Sequence, residues 1–151
     1  MDVTHIYQEH EAYCGPAVAQ MVLRRFSIAL TQQEIAKELE TDMVVGTSAR
    51  ELEKFFKQRG FVVDRKNNAE WGDLAVSLAK GTVIVGYVER EGDPHYALVR
   101  SVSEDTIIIA DPWHGDNYSL SKTEFEERWK DNEVGQYGER MLMTVATAAH
   151  T

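Results

Sequence analysis

Residues 95–112 run HYALVRSVSEDTIIIADP. Two stretches rich in β-branched and aromatic residues, His95 to Ser101 and Thr106 to Ala110, flank the turn formers Ser103, Glu104 and Asp105. The pattern predicts a β-hairpin. In an antiparallel pair the start of the first strand lies beside the end of the second. His95 and Asp111, at those two ends, are therefore expected to be neighbours.

Working outward, Thr82 to Glu89 reads as a strand that the Gly92-Asp93-Pro94 turn leads into the hairpin, and Arg140 to Ala146 reads as a last strand. Phe61 to Arg65 is short and rich in Phe and Val. Upstream the texture is helical. Gly15 to Phe26 carries Ala17, Val18, Met21, Val22 and Phe26 on one stripe, with Pro16 suited to a first turn. Thr31 with Glu34 is a capping box for a helix through about Glu40; Ser48 with Glu51 opens another through about Arg59, stopped by Gly60. Glu70 to Lys80 returns to helical spacing until Gly81. After a loop from Asp111 to Asp116, Ser121 and Glu124 cap a helix bearing Phe125 and Trp129 at i,i+4. The predicted class is α+β, with N-terminal helices packed on an antiparallel sheet. Residues 1–151 read as a single domain.

The chain has 151 residues, the size of one ordinary domain, and its 43% hydrophobic and 27% charged content suits a folded chain rather than a disordered one. With 16 Lys and Arg against 25 Asp and Glu, the formal charge of -9 opposes a phosphate backbone and an anionic membrane surface. No nucleic-acid partner is expected. Met1 to Glu9 lacks an apolar signal core, and no stretch approaches the roughly 20 apolar residues of a membrane span, so no membrane insertion is expected. The expectation is a cytoplasmic protein, although a domain taken from a longer secreted chain would look the same.

Cys14 is the only cysteine, which leaves a small buried hydrophobe or a reactive thiol. It falls at the predicted start of a helix, where unpaired N–H groups and the macrodipole favour a thiolate. A thiolate nucleophile needs a base. Of His5, His10, His95, His114 and His150, only His95 opens an apolar run, Tyr96-Ala97-Leu98-Val99, that would fix its ring on a sheet. Asp111 would complete a Cys-His-Asp set, while Asp before Pro112 is also a common turn signal. No His spacing such as HExxH suggests a metal, and no cofactor is expected. Tyr13, Tyr96 and Trp113 flank these positions; each could line a substrate cleft or simply pack.

Taken together, Gln8, Cys14-Gly15-Pro16-Ala17, Gly46-Thr47-Ser48, His95-Tyr96, Asp111-Pro112, Gly115 and the Phe125/Trp129 helix resemble a known family. It is the papain-like cysteine peptidase domain that removes double-glycine leaders from bacteriocin precursors, usually fused to an ABC transporter. The resemblance spans nearly the whole chain and implies a papain-like fold. It implies Cys14 as nucleophile, His95 as general base, Asp111 as its orienting partner and Gln8 in the oxyanion hole. It also implies a peptide or protein substrate, with small residues such as Gly-Gly before the cut. A freestanding bacterial protease and the toxin or effector domain of a larger protein both fit, the latter with an immunity or inhibitor protein as partner. The alternatives on the same fold are a thiol acyl transferase, such as a glutamine deamidase or a transglutaminase-like enzyme, and a peptide-binding module without catalysis.

Overall fold

The computed structural model describes residues 3–89, 92–133 and 135–148, so His150 lies outside the described residues. Helix α1 spans Cys14–Arg25, and its residues from Cys14 to Leu23 are all buried. Pro16 is tolerated in the first turn because N–H groups there have no intrahelical partner. Helix α2 (Gln32–Glu38) starts at the predicted capping box: Thr31 Oγ1 accepts from Glu34 N at 3.0 Å and Glu34 Oε1 accepts from Thr31 N at 3.1 Å. At α3 (Ala49–Gln58) Ser48 Oγ accepts from Glu51 N, and Gly60, at φ +86°, ends that segment with a turn only glycine enters freely.

Strand β1 (Phe61–Lys66) and helix α4 (Trp71–Leu78) lead to β2 (Thr82–Val88), β3 (Pro94–Val102), β4 (Thr106–Asp111) and β5 (Gly115–Ser121). Helix α5 (Lys122–Arg128) and β6 (Leu142–Thr147) complete the chain. The strands form one antiparallel sheet in the order β1-β6-β2-β3-β4-β5. The β3–β4 hairpin forms as expected, with a bulge between Val99 and Ser101.

All seven residues of β2 are buried, so both faces of the sheet are covered. Ile84, Tyr96, Leu98, Ala110, Met143 and Val145 join the core built with α1, α2 and α3. Val85, Tyr87, Ala97, Ile107 and Ile109 join a second core with Leu74 of α4 and with Phe125 and Trp129 at α5. The α+β reading holds, with one refinement: the helices sandwich the sheet instead of lying on one side of it. Strand β5 was not anticipated, because Gly115, Asp116 and Asn117 read as turn residues.

Candidate active site

Cys14 is the first residue of α1 and is 8% exposed, so its thiol lies where the first-turn N–H groups point. The helix start is braced from behind. A Cβ on Gly15 would stand 2.6 Å from Thr47 Oγ1 and 2.7 Å from Thr47 Cβ, so only glycine lets this loop pack so close to the thiol. Thr47 is in turn fixed by two donors to its carbonyl, Tyr96 Oη at 2.8 Å and Gln136 Nε2 at 2.7 Å.

From the sheet side, His95 on β3 and Asp111 at the end of β4 meet as the hairpin predicts. His95 Nε2 is 2.8 Å from Asp111 Oδ1. Cys14 lines the same cleft as His95, and both its thiol and the Asp111 carboxylate favour the charged form of this ring. Burial opposes a charge on His95, but the bonds and attraction of Asp111 and Cys14 outweigh it and raise its pKa to about 10. Asp111 is wholly buried. Burial pushes its pKa up, yet His95 and further donors hold it below the usual carboxylate range. Those donors are Trp113 N and His114 N, each 2.8 Å from Oδ1, and Tyr87 Oη on Oδ2. The carboxylate is thus satisfied on both oxygens and its direction is fixed.

These groups open onto a cleft of about 550 Å³ lined by Gln8, Cys14, Gly46, His95, Tyr96 and Trp113 among others. Trp113 is 57% exposed, whereas the Tyr96 ring is buried and its hydroxyl holds Thr47. Tyr13 stands outside the cleft lining with its ring against His10. Gln8 lines the cleft, but its Nε2 donates to the His10 carbonyl at 2.8 Å and the Glu11 carbonyl at 3.1 Å, and its Oε1 is buried without a partner. One group among the described residues could gather a metal ion: ligand atoms of Glu89, His95 and Asp111 lie within 4.8 Å of one another. His95 and Asp111 already satisfy each other there.

The family model described as "Peptidase C39 family" matches residues 2–134. The chain belongs to the Peptidase C39 family. Membership makes it a cysteine peptidase by family. The chain is 31% identical over 128 residues to a Lactococcus lactis protein named lactococcin-G-processing and transport ATP-binding protein LagD, covering 82% of this chain and 17% of that one. It is also 31% identical over 122 residues to cysteine protease effector 1 of Escherichia coli O1:K1:H7, covering 80% and 24% respectively. The chain therefore spans a quarter or less of the length of these curated relatives. In fold it is similar to a double-glycine motif protease from an AMS/PCAT transporter, solved in complex with the leader peptide. That match has a TM-score of 0.76 at 16% identity and covers 97% of this chain and 93% of that one.

Several residues around this C39 site were not singled out from sequence. Tyr87 lies directly opposite His95 in the β2–β3 ladder, a register readable from the Gly92-Asp93-Pro94 turn once β2 and β3 are paired. Glu89 is 4.0 Å from His95 Nε2 and accepts from His114 Nε2 at 3.0 Å, so a second imidazole–carboxylate couple adjoins the first. Gln136 grips the carbonyls of Val45 and Thr47 from far along the chain, and no local pattern announces such a contact.

Proposed function

We propose that this chain hydrolyses a peptide bond with Cys14 as nucleophile, His95 as acid and base, and Asp111 as the group that orients His95. The observation that carries this reading is the single imidazole that lies 2.8 Å from Asp111 and shares a cleft with Cys14, with both groups favouring its charged form. With the proton on His95, the thiolate attacks the scissile carbonyl carbon and an oxyanion forms. The Cys14 N–H, in the first turn of α1, is directed at that oxygen. Gln8 Nε2 is the second donor, and its amide must turn from the His10 and Glu11 carbonyls to reach it. As the C–N bond breaks, His95 gives its proton to the leaving amine. Water then attacks the thioester and passes a proton to His95, the C–S bond breaks to release the carboxyl product, and the thiolate and protonated His95 are restored.

The substrate reading is a polypeptide cut after small residues, Gly-Gly in particular. It is supported by the lactococcin-processing relative and by the leader complex of the double-glycine protease. The effector relative favours a second reading, in which the target is a protein other than a leader. A proteome-wide search for new protein termini after exposure to wild type and to Cys14→Ala separates these and reports the cut sequence directly. New termini following Gly-Gly support the first reading; termini at other sequences support the second. Side-chain deamidation or crosslinking without new termini would replace peptidase by another thiol acyl transfer. In peptide libraries, turnover should drop when the residue before the scissile bond is changed from Gly to Leu.

A further inference from the structure

Two buried amide side chains have no part in the chemistry above. Gln20 lies within the buried, otherwise apolar run of α1 and is 6% exposed; Gln32, in the first turn of α2, is wholly buried. Burying an amide is unfavourable unless its donors and acceptors are met, and an apolar side chain of similar size would fill the space without that penalty. What these two amides hold is therefore informative.

Gln32 Oε1 accepts from the Glu9 N–H at 2.9 Å, and Gln32 Nε2 donates to the Tyr7 carbonyl at 2.8 Å. The two residues gripped are those on either side of Gln8. Gln32 Nε2 also donates to Gln20 Oε1 at 3.0 Å, which links the grip to the helix that begins at Cys14. Gln20 is held in turn by donating to the Leu30 carbonyl at 3.0 Å. On the other side, the Gln8 N–H donates to the Pro112 carbonyl at 3.0 Å, next to Asp111. His5 Nε2 lies 2.7 Å from the Asp111 carbonyl oxygen. The main chain around Gln8 is thus tied to the element carrying Cys14 and to the one carrying Asp111. Only the Gln8 side-chain torsions are left to move its amide between the His10–Glu11 turn and the thiol.

We infer that Gln32, backed by Gln20, is a positioning residue for the Gln8 amide, and so acts on the oxyanion step without touching substrate. This rests on the reading of Gln8 as an oxyanion donor. The test uses two probes of Cys14. Acetyl-glycyl-glycine p-nitrophenyl ester acylates the thiol through an oxyanion, read as the burst of nitrophenolate, whereas iodoacetamide alkylates it without one. Gln32→Leu should slow acylation about tenfold, leave alkylation within about twofold of wild type, and add nothing further in a Gln8→Ala background. Equal slowing with and without Gln8, or no slowing at all, overturns the inference. Wild-type acylation by Gln8→Ala alone would remove the Gln8 reading itself, and the inference with it. If circular dichroism finds Gln32→Leu unfolded, Gln20→Met takes its place in the same cycle, with the same non-additivity expected and a smaller loss.

Discussion

In the proposed mechanism, the proton on the His95 ring sets the pH range in which the thiol is armed. Burial alone would remove it, yet Asp111 and Cys14 raise the ring from 6.5 to about 10. A raised histidine pKa means the attraction is complete below the free-imidazole value and fades as pH climbs towards the folded one. kcat/KM should therefore hold through neutral pH and fall on approach to pH 10. Asp111→Asn, which deletes the carboxylate charge, should move that falling limb towards neutrality; a limb that stays put would mean Asp111 does not hold the proton. His95→Ala should slow iodoacetamide alkylation of Cys14 at pH 7 by about tenfold or more, because the ion-pair partner is gone. Gln8→Ala should divide the steps differently, lowering kcat by about 10²–10³ while alkylation stays near wild type. Asp111→Ala should reduce both. Of these residues, His95 and Asp111 were legible because a hairpin brings its two ends together. Tyr87 Oη on Asp111 was not, since nothing in a valine-rich strand marks one tyrosine as a donor.

At the level of elements, the helix starts were the most legible features, because a cap is a local pattern of hydroxyl and carboxylate three residues apart. Thr31→Ala should lower stability by about 1 kcal/mol in denaturant titration, the usual cost of losing such a cap. The approach of the Gly46-Thr47-Ser48 loop to α1 is a tertiary event. Its only trace in the sequence is that glycine follows Cys14. Gly15→Ala drives a methyl group to 2.6 Å from Thr47 Oγ1, and a rigid loop held by Tyr96 and Gln136 cannot yield freely. Destabilisation of about 1–3 kcal/mol is expected, together with slower Cys14 alkylation as the helix start shifts. A wild-type melting curve with wild-type alkylation would show that the loop gives way. Strand β5 escaped notice for a different reason: its inward residues are few, and Gly115, Asp116 and Asn117 at its start favour turns.

Across the whole molecule, pattern reading finds most of the strands but pairs only those that a short turn joins. Chain order puts the Leu142–Thr147 strand last, yet β6 lies between β1 and β2, where Met143 and Val145 are wholly buried. Met143→Ala should cost about 2–5 kcal/mol, measured as a fall in the denaturation midpoint, since it empties the core under α1. Long-range pairing of this kind closes large loops before contacts repay the lost entropy, so folding should be slow for a chain of this size. The position of β6 also bears on timing. A ribosome releases Cys14 before His95 and Asp111, and β6, which seats β1 against β2, after all three. Until Leu142–Thr147 emerges, β1 and β2 have no neighbour to share, and Cys14 waits beside an incomplete sheet. Assembly of the proposed site is thereby deferred until β6 has left the ribosome.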